Sequence, residues 1–223
     1  MRTGMMLALL LAALTARAAA PEVPGWRDYQ AGRLAAARIA FWQAAENGDR
    51  VAAFDLAMMD WKGEGGAADK ARAVYWLKRA AALEPAQAQA QHALGLLAER
   101  GDGVPKSLAE ATRWFLLSAR QGYLPAQIDL GTQYFLGRGA AQDDRLAAYW
   151  YEEAAKQGDA GAQYLIASMY EHGQGVKRDI PAAIRWYGRA AAQGDVGARA
   201  KALDLAKRES AGRAQSASSG SFR

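Results

Sequence analysis

A fourteen-residue phrase occurs twice in the second half of the chain, as LAAYWYEEAAKQGD at 146–159 and AAIRWYGRAAAQGD at 182–195. Both copies belong to a longer period. Ala52, Ala90, Ala126, Ala162 and Ala198 are separated by 38, 36, 36 and 36 residues. A step of 24 from each of the first four reaches Trp76, Trp114, Trp150 and Trp186. Steps of 11 and 13 reach paired glycines: Gly63 and Gly65, Gly101 and Gly103, Gly137 and Gly139, Gly173 and Gly175. A period of this length restricts the chain to a stacked array, because one lap is a supersecondary unit too small to bury both its faces.

Each lap holds two helical patterns. In AQYLIASMYEHG, Ala162, Ile166 and Met169 recur at one face of a 3.6-residue period, widened by Leu165 and Tyr170. In PAAIRWYGRAAAQG the face is Ala183, Tyr187, Ala190 and Ala191. Pro181 suits a helix start, where its missing N–H costs nothing. Asp69, Ser107, Asp143 and Asp179 stand where N-caps are needed. Gly122, Gly158 and Gly194 follow the second helices, where a left-handed residue closes the turn. The recurring alanines allow close helix approach, and the tryptophans, locked to the repeat, read as core. The expected fold is all-α: an α-solenoid of stacked helix-turn-helix repeats.

The laps run 52–89, 90–125, 126–161 and 162–197. Residues 28–51 read as a half repeat, with Ala37, Phe41, Ala44 and Ala45 in packing positions and Trp42 one place off the core, partly exposed. Residues 198–209 read as a capping helix, and 210–223 as a small, polar, disordered tail. The first lap is two residues longer, at ALEPAQAQAQ, which implies an extra turn or a looser corner around Pro85. Its loop, GEGGAAD, lacks the valine found at Val104 and Val176.

The set Ala126, Leu130, Gly131, Tyr134, Gly137, Gly139, Ala147, Trp150, Tyr151, Ala154, Ala155, Gly158 and Asp159 resembles the Sel1-like repeat, a relative of the tetratricopeptide repeat. The resemblance implies that the solenoid is wound into a right-handed superhelix, with an inner groove lined by the first helix of each lap. Carried over residue by residue, the groove candidates are Asp55, Met58, Trp61 and Lys62; His92, Leu96, Glu99 and Arg100; Asp129, Thr132, Phe135 and Leu136; and Tyr164, Ser168, Glu171 and His172. Their chemistry varies between laps while the packing positions do not, which suits recognition of a protein or peptide.

No constellation of catalytic residues emerges. There is no cysteine, which excludes disulfides, thiolate metal sites and a cysteine nucleophile. The only histidines, His92 and His172, lie in different laps without metal-ligand spacing, so no metal or cofactor is expected. The glycine pairs follow helices and precede no Gly-Lys-Ser/Thr, which excludes a phosphate loop. Paired acids such as Glu152 and Glu153 sit at exposed or capping positions. A net charge of +5 is spread along the chain without a basic stripe, so nucleic acid is not an expected partner.

The segment MRTGMMLALLLAALTARAAA has an early arginine, an apolar run over 5–14 and the small-residue triplet Ala16, Arg17, Ala18. This is the pattern of a secretory signal peptide, 1–18, with a linker at 19–27. Cleavage after Ala18 is favoured over Ala20, which precedes Pro21. The apolar run is about half the length of a membrane span. The chain thus reads as a periplasmic or secreted, non-catalytic interaction module, not membrane-bound after cleavage and more simply a monomer. The alternative is a cell-envelope hydrolase or a β-lactam- or peptidoglycan-binding protein, since some members of the resembled family are linked to β-lactam binding.

Overall fold

The computed structural model describes residues 24–220. The expected signal peptide, most of the linker and the last three tail residues lie outside them. All regular structure among the described residues is helical: α1 (Trp26–Gln30), α2 (Leu34–Glu46), α3 (Arg50–Lys62), α4 (Lys70–Ala82), α5 (Ala88–Arg100), α6 (Leu108–Arg120), α7 (Leu124–Leu136), α8 (Asp144–Lys156), α9 (Ala160–His172), α10 (Ile180–Ala192) and α11 (Val196–Gly220). The chain divides into two compact units, 1–123 and 124–223. In the first, α1 packs on α2, α2 on α3, α3 on α4, α4 on α5 and α5 on α6. In the second, the same neighbour-to-neighbour stacking runs from α7 to α11.

The helix boundaries follow from local chemistry. Asp49, Asp69, Ser107, Asp143, Asp159 and Asp179 each accept a hydrogen bond from a backbone N–H of the first turn, four of them at the expected cap positions. These bonds satisfy N–H groups that the helix itself leaves without a partner. Gly122, Gly158 and Gly194 take positive φ values of 80°, 100° and 96°. The two extra residues of lap one fall in the corner between α4 and α5, which spans 83–87 where the other such corners need three residues. Within the first two turns of α8, Asp144 lies so close beneath Gly175 that any Cβ there would collide with its carbonyl, so the loop after α9 can only approach α8 through a glycine.

The packing rule is one large side chain from each second helix seated on one small residue of the preceding first helix. Phe41, Leu77, Phe115, Tyr151 and Tyr187 are buried in successive second helices. A Cβ placed on Gly95 would come within 2.5 Å of the Phe115 ring, and one on Gly131 within 2.9 Å of Tyr151. Ala57 and Ala167, both fully buried, hold that register in the other laps. Leu203 holds it in α11, where it is 56% exposed. The alanines before and after the large residue, such as Ala147, Ala154 and Ala155 around Tyr151, are also buried.

The tryptophans therefore divide, against the expectation that all four are core. Trp76 and Trp150 are buried, but Trp114 and Trp186 are half-buried. Trp186 lies under the guanidinium of Arg189, 4.4 Å from the ring centroid. The face centred on the following residue points inward, and a one-residue step of about 100° carries the indole to the margin. Trp42 is half exposed, as its register implies.

A second repeated element went unnoticed in the sequence. Gln121 Nε2 donates to Gln91 Oε1 at 2.7 Å, Gln157 to Gln127 at 2.8 Å, and Gln193 to Gln163 at 2.9 Å. Each pair ties the end of a second helix to the start of the first helix of its own lap, 30 residues earlier. The inner glutamines are buried, and Gln91 and Gln163 also donate to backbone carbonyls of Ala81 and Ala155. Buried amides are satisfied in this way lap after lap.

The last helix departs from expectation. Helix α11 runs to Gly220, through a stretch expected to be disordered beyond Glu209. Residues 210–220 contain no proline, and they continue a helix already nucleated at Val196.

Candidate functional site

The sixteen groove candidates do not share one environment. In the first unit α3 and α5 are buried over nine consecutive residues each, 52–60 and 90–98, which takes in Asp55, Met58, His92 and Leu96. Met58 and Leu96 occupy the register of Thr132 and Ser168, so this stripe is apolar in one unit and polar in the other. The His92 ring lies 5.5 Å from Phe115 and 5.3 Å from Tyr123.

A second group joins laps together. Trp61 is roofed by Lys70, 4.9 Å above its ring, and lies against Gly103. In the same register, Phe135 packs on the core of the second unit. Glu171, again in that register, accepts hydrogen bonds from the Tyr187 hydroxyl (2.8 Å) and from Lys201 Nζ (3.0 and 3.2 Å). Thr132 bonds Tyr151 (3.1 Å), and Tyr164 meets Tyr187 edge-on at 5.1 Å.

The remaining candidates, Lys62, Arg100, Leu136 and His172, end their first helices immediately before the glycine turn. Arg100, Leu136 and His172 are exposed, while Lys62 is half-buried and pairs with Glu64 at 3.5 Å. Asp129, Ser168 and Glu99 are half-buried.

The second unit opens around His172 into a cavity of about 630 Å³ lined by Glu171, His172, Arg178, Ile180, Leu205, Arg208 and Glu209. His172 Nδ1 lies 2.8 Å from the Ser168 carbonyl, which leaves Nε2 directed away from the helix. Arg178 Nε donates to the Glu171 carbonyl at 3.0 Å. Burial alone would raise the Glu171 carboxyl, but the hydrogen bonds from Lys201 and Tyr187 and the positive charge of Lys201 hold it below the usual range. Burial and the Glu171 acceptor push the Tyr187 hydroxyl upward. This cavity mixes both signs of charge with two aliphatic walls, a surface suited to a polypeptide.

The half repeat and lap one of the first unit together carry a cluster that the sequence does not single out. Asp60, fully buried, binds Arg38 through Oδ1 and Arg72 Nε through Oδ2 at 2.7 Å. The register of Arg38 holds Val74, Thr112, Ala148 and Ile184 elsewhere, and that of Asp60 holds Ala98, Tyr134 and Tyr170. At Gly66, which stands where the second and fourth laps have valine, a Cβ would meet Arg38 Nη1 at 2.9 Å. Among the described residues no three His, Cys, Asp or Glu side chains gather as a metal site, and no helix is long and apolar enough to cross a membrane.

Stacked thirteen-residue helix pairs, with packing positions repeated and exposed positions varied, define a helical-repeat scaffold. The chain belongs to the Sel1 repeat family, whose repeat matches residues 50–85, 88–123, 124–159 and 160–195. The frame sits two residues ahead of the alanine anchors. Among solved structures, c5321, a protective antigen of uropathogenic Escherichia coli displaying an SLR fold, is 35% identical with a TM-score of 0.73. It is matched over 81% of this chain and 39% of its own length. A Sel1 repeat protein from Oxalobacter formigenes is 34% identical with a TM-score of 0.70, over 76% of this chain and 49% of its own. This chain thus spans less than half the length of either relative. No curated protein matches it. Sel1 repeat proteins are generally protein-interaction modules, and the fold is typically a non-catalytic scaffold.

Proposed function

We propose that this chain is an exported, non-catalytic adaptor or regulator that binds a partner protein or peptide through the open ends of its first helices. One observation carries the reading. Identical packing positions support side chains that differ at each turn, Lys62, Arg100, Leu136 and His172, and the last of these opens into the 630 Å³ cavity of the second unit. Export rests on the apolar run at 5–14 and the small-residue triplet that follows it. The periplasm or the exterior is the proposed location.

The test places a photo-crosslinking residue at Leu136 or His172 in the intact protein and recovers adducts from cells. A discrete adduct from these sites, and none from exposed Lys78 on α4, is the expected result. Calorimetry on the recovered partner then compares wild type with an Arg100→Ala, Leu136→Ala, His172→Ala variant. If one of them is a hot spot, affinity falls at least about thirtyfold. Unchanged affinity in that variant, with binding lost from a chain ending at Glu209, would overturn the reading. Intact mass of exported material tests the leader: a mature protein beginning at Ala19 is expected, and a retained Met1 would refute cleavage.

A further inference from the structure

The Arg38–Asp60–Arg72 cluster forms the floor of a cavity of about 240 Å³ in the first unit, lined by Arg38, Ile39 and Trp42 of α2, Leu56 and Asp60 of α3, and Arg72 and Trp76 of α4. Stability does not account for it. A fully buried carboxylate holding two guanidinium groups gives up so much hydration that well-packed apolar residues usually serve as well or better. The other laps place uncharged residues at these registers: Val74, Thr112, Ala148 and Ile184 for Arg38, and Ala98, Tyr134 and Tyr170 for Asp60. A chain that repeats its packing rule this closely and breaks it at one place points to a role there beyond folding.

The cavity walls have the composition of an anchor pocket. Two indoles face it; Trp76 is buried, while Trp42 is 50% and Ile39 59% exposed at the rim. Trp, Tyr and Arg dominate binding hot spots. Both oxygens of Asp60 are taken, so its single charge is shared between two cations and the lining residues carry a net positive charge. Arg38 Nη1 is buried without a hydrogen-bond partner, and the Arg72 side chain is 43% exposed, its Nη1 no nearer than 3.8 Å to Asp69. An Arg79–Glu46 pair at 2.9 Å bridges α2 and α4, and the Arg79 guanidinium lies 5.1 Å from the Trp76 ring centroid.

We infer that this pocket anchors a partner polypeptide by one aromatic side chain set between Trp42 and Trp76, with the carboxylate of the next residue drawn to the outward end of Arg72. The lining includes none of Lys62, Arg100, Leu136 and His172, so the site would add a second point of attachment to the first-helix ends.

The probe is the blocked tetrapeptide acetyl-Gly-Phe-Glu-Gly-amide, titrated into the full-length protein while the indole N–H resonances of Trp42 and Trp76 are followed by NMR. Saturable shifts confined to these two indoles are expected. The Phe-Gln and Ala-Glu analogues should bind at least about tenfold more weakly. Trp42→Ala and Arg72→Met should each weaken Phe-Glu binding by a similar factor, and His172→Ala should not. Trp42 is exposed enough that its replacement leaves the fold intact, as the melting temperature will verify. Equal binding of acid and amide, persistent binding in Trp42→Ala, or no saturation up to about 5 mM would each overturn the inference and leave the first-helix surface untouched.

Discussion

Replacing Gly131 and Gly188 by alanine makes the same chemical change within the same unit and should give opposite results. Both lie inside helices, α7 and α10, where alanine is preferred to glycine by about 1 kcal/mol. At Gly188 a Cβ meets nothing within 4 Å, so the whole gain should appear as a stabilisation of about 0.5–1 kcal/mol. At Gly131 the new methyl meets the Tyr151 ring at 2.9 Å. That ring cannot swing aside freely, because it is buried and its hydroxyl bonds Thr132 at 3.1 Å. Forcing a methyl into such a site costs about 1–3 kcal/mol, so the net change is a loss of about 0–2 kcal/mol. Urea midpoints of the full chain, followed by helical circular dichroism, measure both. A Gly131→Ala, Tyr151→Leu double variant should be no less stable than Tyr151→Leu alone, since the smaller side chain leaves room. The reasoning fails if Gly131→Ala raises the midpoint as much as Gly188→Ala.

Three further outcomes follow from the packing and electrostatics. Tyr187→Ala should cost about 3–5 kcal/mol and Trp186→Ala about half as much, because the first is fully buried and the second only half; equal losses in thermal unfolding would restore the tryptophan to the core. Glu171 is depressed in the folded chain, so its contribution is present above the unfolded carboxylate pKa of about 4.3 and is lost as pH falls through the lower folded value. The acid limb of stability below about pH 4.3 should flatten in Glu171→Gln, and an unaltered acid limb would refute the coupling to Lys201 and Tyr187. Asp60→Ala alone leaves Arg38 without its counter-ion and should cost about 3–5 kcal/mol, whereas Arg38→Val, Asp60→Ala, Arg72→Leu together should come within about 1 kcal/mol of wild type. A triple variant as damaged as the single one would mean the cluster is structural.

Much of the fold was legible because a lap repeated four times reports its own errors. The caps at Asp69, Ser107, Asp143 and Asp179 and the closing glycines needed only local backbone chemistry, and the structure has them there. Tryptophan was read as the core residue for its size and regular spacing, yet the face Ala183, Tyr187, Ala190 already pointed to its neighbour. The groove was harder to read. A helical period shows which residues face the core, but not which of the others are enlisted by the next lap or the closing helix, as Trp61, Phe135 and Glu171 are. The glutamine pairs escaped notice because their partners are 30 residues apart, and the Arg38–Asp60–Arg72 cluster because its members sit in three helices.

Leu203 has a consequence for how such arrays change length. A stack of identical bricks has no intrinsic end, so something must tell it where to stop. Here the docking seat occupied by Ala57, Gly95, Gly131 and Ala167 in earlier laps is plugged by a branched side chain, and no further second-type helix can settle on α11 as its predecessors did. A second-type helix packed on α11 would have to meet that side chain where its predecessors met a methyl group or a hydrogen. Unplugging it with Leu203→Ala and appending one more helix copied from α10 would be the shortest route to a longer array.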